Sequence, residues 1–507
     1  MKHTMIHNPI IWADVPDVDV IRVKDCYYMV STSMHTMPGC PIMRSKDLAH
    51  WEIVNYVFDT LEDNDGHNLL DNQGIYGKGS WAATLKHHDG IFYVGFSSND
   101  MNRFYLFKTD DIEHGPWKKV TVIEPLLYDP ALLFDGDTPY VICGNGDVKI
   151  IELEKDLSGI KNLGINQEII HTPIEGIGLR CEGGHAYKIH GMYYIIYIEW
   201  PTTGNKRRRQ VCYRSKDLLG PYERKIIFDD DMGYFNNGIA QGGIFDSEDG
   251  TWYALLFQDH GAVGRIPYIL PVHWEDDWPM IGENGKAPVE FRVPMEEVLT
   301  KPLVISDEFH YAENRLALQW QWNHNPDKTL WSFTERPGYL RLTTGYITDK
   351  GVLYARNTLT QRTEGPTCTG ITHIELSQMK NGDCAGLLAL QSTFGMIGVR
   401  KGKDGTKRVV MCVNRGDYQE EEVESIVYDN DDIYFKITFQ FENNIDLAAC
   451  YYSLDGVAWN KIGCDIQMKY LLDHFMGYRI GLFYYATMET GGFVDFEYFK
   501  YDKNENI

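Results

Sequence analysis

Three short stretches of this 507-residue chain place carboxyl groups where they could move protons. Near the N-terminus, Asp14, Asp17 and Asp19 lie close together in WADVPDVDVIRV, which starts at Trp12. At alternating positions Asp17 and Asp19 would share one face of a strand. Acids buried there are costly without a partner or a task. A fitting task is that of a general base, an ionised carboxylate that polarises a water. Asx-turn capping at the strand start is the competing explanation. The second stretch, LYDPALLF from Leu127, sets Asp129 and a proline before an apolar run, which on its own is a turn pattern. The third, LRCEGGHAY from Leu179, puts Glu182 ahead of two glycines and an aromatic strand. A glutamate at the edge of such a strand could be a general acid with a raised pKa, or simply a surface residue in a loop.

No single motif brings these acids together, so the fold must. Up to about residue 280 the chain repeats a turn signal, then aromatics, then a short apolar run. The copies are KDCYYMVSTS from Lys24, HDGIFYVGFSS from His88, FDGDTPYVICGNG from Phe134, IHGMYYIIYIE from Ile189 and SEDGTWYALLFQD from Ser247. They start about 45–65 residues apart, a period that points to strand-built blades. Five copies predict an all-β chain opening with a five-bladed β-propeller over 1–295. Inner strand ends of different blades meet around one axis, so acids on three separate repeats can share one mouth. Hydrolysis of a glycosidic bond there would need such an arrangement. The segment GENGKAPVEFRVP from Gly282 is expected to be a linker, and the alternating short strands of 306–507 a β-sandwich.

Composition narrows the partners. The net charge of −24 disfavours nucleic acid. The basic run Lys206-Arg207-Arg208-Arg209 is expected to be a solvated loop. No apolar stretch is long enough to span a membrane, and the start lacks the pattern of a secretory signal. The ten cysteines have no regular spacing, as expected for free buried thiols in a reducing cytoplasm. Aromatic residues make up 13% of the chain, which suits both strand packing and stacking on sugar faces.

At this point the chain resembles glycoside hydrolase family 43, the arabinofuranosidases and β-xylosidases. The resemblance is carried by NPIIWADVPDVDVIRVKDCYYMVSTS, MPGCPIMRSKDLAHWE, GSWAATLKHHDGIFYV and FQDHGAVGRIPYILPVHW. QWQWNHNPD, ERPGYLRL and RNTLTQRTEGPTC resemble the branch with a C-terminal concanavalin-like β-sandwich. The resemblance implies that Asp17 is the general base, that Asp129 raises the pKa of the acid and orients it, and that Glu182 is that acid. It implies that Arg265 contacts the sugar, with Trp81 at the pocket wall and His35 as a further substrate-binding residue. Asp14 and Asp19 remain rivals for the base, because Pro-Asp-Val-Asp stands where the family has Pro-Asp-Pro-Ser. Many members bind calcium in the central pore. Ala240 stands where relatives often have a histidine, which leaves His260 as the candidate metal ligand for a calcium ion. His324 and Gln361 are candidates for a sandwich contribution to the pocket rim.

The expected activity is exo-acting, inverting release of terminal α-L-arabinofuranosyl residues, and β-D-xylosyl residues as well, from xylan-derived oligosaccharides inside the cell. The two reacting carboxyl groups would stand about 6.5–9.5 Å apart. A mainly β-xylosidase activity and a non-catalytic carbohydrate-binding role are the alternatives. A retaining, fructosidase-like propeller enzyme would show Asn-Asp-Pro-Asn-Gly near the start and Arg-Asp-Pro mid-chain, and neither occurs. Membrane and nucleic acid are not expected partners, and the sequence does not fix the oligomeric state.

Overall fold

The computed structural model describes residues 3–416 and 419–503, so the ends of both predicted units, 1–2 and 504–507, lie outside the described residues. The chain is nearly all β. Among the described residues the helical segments are three short 3-10 turns, and no helix is long and apolar enough to cross a membrane.

Five four-stranded antiparallel sheets follow one another along the chain. Their inner strands are Asp19–Val23, Trp81–His88, Ala131–Asp135, Ile177–Ile189 and Ala240–Asp246. Each packs against the next, and the fifth packs against the first, so the ring is closed. The aromatic repeats are the second strands of these blades: Cys26–Val30, Ile91–Ser98, Thr138–Cys143, Met192–Pro201 and Trp252–Asp259. They are almost wholly buried because neighbouring blades cover both faces. That burial explains why they are continuous apolar runs rather than alternating ones. After the last blade, Glu290–Val293 returns to pair with Thr4–His7 and ties the start of the propeller to its end.

The second unit is a sandwich of an eight-stranded and a seven-stranded sheet. Its separation from the propeller is incomplete. Thr36–Met37, from the first blade's segment, forms the edge strand of the eight-stranded sheet, pairing Met37 with Trp322 and Thr36 with Asn323. One apolar core also runs from the fourth and fifth blades (Ile196, Leu256, Ile266) into the sandwich (Trp320, Phe435, Leu482). The two units therefore share a seam wide enough for the sandwich to reach the propeller mouth. All ten cysteines are free thiols, nine of them buried.

Candidate active site

Each inner strand is preceded or interrupted at the mouth by a residue in the left-handed backbone region. These are Asp17, Ala82, Asp129, Gly183 and Gln241, with φ of 51°, 37°, 43°, 62° and 69°. Four of the five are not glycine, and such strain persists only where the surroundings impose it. Bulges accompany it at Trp81/Thr84, on both sides of Glu182, and at Ala240/Gly242. A bulge re-aims the side chain that carries it. At the mouth the result is a cavity of about 580 Å³ whose lining includes Asp17, Asp129, Glu182, Trp81 and Arg265.

Asp17 is not on the strand that its alternation with Asp19 suggested. It sits just before that strand, and its left-handed turn sends it into the cavity while Asp19 points away. Asp17 Oδ1 accepts from Arg265 Nη1 at 2.9 Å and from Gln241 Nε2 at 2.7 Å. Oδ2 is left without a partner in the protein. The two rivals are consumed by structure. Asp14 takes the backbone N–H of Arg265 on one oxygen and that of Gly477 on the other. Asp19 takes Leu85 N and Thr84 Oγ1 on one oxygen and Val20 N on the other, with Lys86 Nζ at 3.5 Å.

Glu182 faces a different environment. Burial raises its pKa, and the nearby charge of Asp17 pushes the same way. Tyr128 Oη donates to its Oε1 at 2.7 Å. Burial, then the charge of Glu182, raises Asp129 as well, so this coupled pair holds a proton above the usual carboxylate range. Asp129 Oδ2 accepts the Gly183 N–H at 2.7 Å. Gly183 has to be glycine, since a Cβ there would lie 2.3 Å from the Gln241 side chain.

Four features of the site escaped the sequence. Gln241, in the Ala-Gln-Gly-Gly stretch, is a direct partner of Asp17. Tyr128, beside Asp129, is the hydrogen-bond donor to Glu182. Arg208 belongs to a basic run that is not a solvated loop: Arg207 and Arg208 are both buried, and their partners are Asp229, Asp231 and Asp259. Arg208 lines the cavity, together with Asp259. Last, the sandwich closes one wall with a strap between its strands Asn460–Gln467 and Arg479–Ala486. Tyr470, Leu472 and Phe475 of that strap line the cavity. Phe475 packs 5.2 Å from Trp81 and 4.6 Å from the Arg265 guanidinium. The buried Tyr470 Oη and Arg265 Nε have no partner within the protein.

Three expectations are corrected. His35 is fully buried and outside the cavity lining, in ring contact with Tyr76, His324 and His474. His324 and Gln361 do not reach the rim either. His324 Nε2 accepts from Ile75 N, and Gln361 holds both the N–H and the C=O of Ile305. His260 is held within the fifth blade: its Nε2 meets Gln258 Oε1 at 2.7 Å and Tyr268 Oη at 3.0 Å, and Tyr234 stacks on its ring. Calcium takes six to eight oxygen ligands, and an imidazole engaged in this way does not fit it. The histidine at the base of the mouth is instead His185, beside Asp19, whose oxygens are already engaged.

Comparison with known proteins fits this geometry. Residues 6–279 match the model of the glycosyl hydrolases family 43, and 306–502 match the beta xylosidase C-terminal concanavalin A-like domain. A beta-xylosidase of Formosa agariphila is 30% identical over 98% of this chain and 90% of its own. A non-reducing end alpha-L-arabinofuranosidase of Bacteroides ovatus is 30% identical over 66% of this chain and 64% of its own. The solved structure of a bifunctional GH43-CE protein of Bacteroides eggerthii superposes with a TM-score of 0.93 at 44% identity, covering 99% of this chain and 64% of that one.

Proposed function

The chain belongs to glycosyl hydrolase family 43, and from that premise we propose that it is an exo-acting, inverting hydrolase of terminal α-L-arabinofuranosyl residues, with β-D-xylosyl residues as second substrates. The observation that carries this reading is the convergence of three carboxyl groups from three blades on one cavity, in opposed electrostatic settings. Asp17 has a cation and an amide on one oxygen and the other oxygen free, as a base that activates water requires. Burial raises both Glu182 and Asp129, and of the two we place the proton on Glu182. The Gly183 N–H can only donate, so it favours a charged Asp129. The Tyr128 hydroxyl can rotate to serve either form of Glu182. Glu182 then protonates the departing glycosidic oxygen while Asp17 takes a proton from a water attacking the opposite face of the sugar.

The strap supports exo action. Tyr470, Leu472 and Phe475 wall the cavity on one side, which favours a chain terminus over a continuous chain. The two pentoses present similar hydroxyls to a small pocket, which supports activity on both. Initial rates on matched aryl α-L-arabinofuranoside and aryl β-D-xyloside test the order. A higher kcat/KM on the arabinofuranoside is expected, and a higher value on the xyloside would make the protein mainly a β-xylosidase.

The charge of Asp129 makes a further prediction. Asp129→Asn removes a negative charge beside Glu182, so Glu182 loses its proton at lower pH. The alkaline limb of the kcat/KM profile is expected to move to lower pH, and by more than the acid limb, since the charge of Asp129 acts more strongly on Glu182 than on Asp17. An unmoved alkaline limb would show that Asp129 does not act through Glu182.

A further inference from the structure

A second cavity, of about 400 Å³, opens at the seam between propeller and sandwich, away from the three acids. Its volume lies within the range of about 300–1,000 Å³ typical of small-molecule sites. The propeller side is the segment from Leu69 to Asn72, and the sandwich side carries Tyr346, Tyr354 and Arg356. We propose that this cavity is a second saccharide-binding site, taking one or two units of a neutral oligosaccharide.

The lining chemistry selects that class of ligand. Arg356 is the one cation in the lining, and its guanidinium is already spent on Asn325 O, Tyr346 Oη and Asn68 Oδ1. The Asp71 carboxylate, by contrast, is exposed and has no partner in the protein. An anionic ligand such as a phosphate would therefore meet an unpaired carboxylate and a guanidinium whose donors are already engaged. A sugar offers hydroxyl donors to Asp71 and to the unpartnered Tyr354 hydroxyl. It also offers a C–H face to the Tyr346 ring, which is 38% exposed. That ring is held in place: its hydroxyl donates to Asp327 Oδ2 at 2.9 Å and accepts from Arg356 Nη1 at 2.9 Å.

The propeller side carries an independent sign of a built site. Leu69, Asp71 and Asn72 are all left-handed, with φ of 50°, 49° and 55°, and none is glycine. Such a cluster persists only where the surroundings enforce it. Here Thr348 Oγ1 donates to Asn72 Oδ1, and Asn72 Nδ2 donates to Asp349 Oδ1, both across the seam. These contacts fix Asn72 and leave the adjacent Asp71 turned to the cavity. The same segment continues past Gly77, which touches the strap at Asp473, to Trp81 in the pocket wall.

That the sugar is a pentose chain rests on the function proposed above, so the test separates the two. Glu182→Gln protein is titrated calorimetrically with xylotriose, arabinosyl-xylotriose and maltotriose. The expected result is two sites for a pentose chain in Glu182→Gln, falling to one when Asp71→Ala and Tyr346→Ala are added. Tyr354→Phe, which removes one unpartnered hydroxyl and leaves the packing intact, is expected to weaken the second site several-fold. A single site that the seam substitutions leave unchanged would overturn the seam proposal and leave the catalytic reading intact. A seam site that takes only maltotriose would uphold the saccharide site and count against the pentose assignment.

Discussion

Glu182→Gln is expected to lower kcat/KM on an unactivated arabinoxylo-oligosaccharide by about 10²–10⁴-fold, the usual worth of a positioned proton donor. The carboxamide keeps the shape of the side chain and its hydrogen bond from Tyr128. It has no proton to give to the departing oxygen. The loss should therefore shrink on an aryl glycoside whose phenol leaves without protonation. Asp17→Asn should behave differently. It removes the group that activates water, so its loss of about 10²–10⁴-fold persists whatever the leaving group. Steady-state rates of both variants on good and poor leaving groups distinguish the roles. If Glu182→Gln lost as much on the activated substrate as on the natural one, the acid assignment would be wrong. Near-wild-type rates for Asp17→Asn would remove the base.

The second large effect is on stability. His35, His324 and His474 are wholly buried where the propeller meets the strap, and their rings lie within 4.9 Å of the central His35. Both ring nitrogens of His35 and of His474 lack partners. Burial pushes all three below the ordinary value of 6.5, His474 to about 3. Mutual repulsion and Arg479 act in the same direction, while Asp473 near His474 and Asp100 near His324 oppose it only in part.

A histidine whose folded pKa is depressed binds its proton more readily when unfolded. Its contribution is complete above pH 6.5 and is lost as pH falls from there toward the folded value. Each group can add a slope of up to about 1.4 kcal/mol per pH unit, so three give about 4. Urea unfolding at pH 7.5, 6 and 5 should show a steep loss, with the strap and hence the pocket failing together. Buried carboxyl groups with raised pKa, such as Glu182 and Asp446, act with the opposite sign. For that reason the informative comparison is with the double variant His35→Phe and His474→Phe, which should have a flatter slope between pH 7.5 and 5. Equal slopes would show that the cluster is not the source.

How far the sequence foretold this molecule depended on whether a feature was local. The propeller was legible because each second strand, buried on both faces, must be a continuous aromatic and apolar run after a turn, and the five copies sit side by side in the chain. Asp17, Asp129 and Glu182 were legible because each lies in its own recognisable block. What escaped were pairings made across distance. Arg207 and Arg208 look like a charged loop because Asp229, Asp231 and Asp259, which permit their burial, belong to later segments. Tyr470 and Phe475 come from the far end of the chain, and no pattern near them signals a pocket. His35 and His324 were expected against the sugar and at the pocket rim, but both are buried at the seam. The choice among Asp14, Asp17 and Asp19 turned on one left-handed residue, and alternation along a strand cannot foresee that.

Single displacement by Asp17 and Glu182 makes one prediction that no other use of these carboxyl groups shares. Proton NMR of the first turnovers on aryl β-D-xyloside, read before mutarotation, should show α-D-xylose as the initial product. β-D-xylose appearing first, which is net retention, would mean that a carboxylate attacks the sugar itself, and the roles given to Asp17 and Glu182 would have to be abandoned.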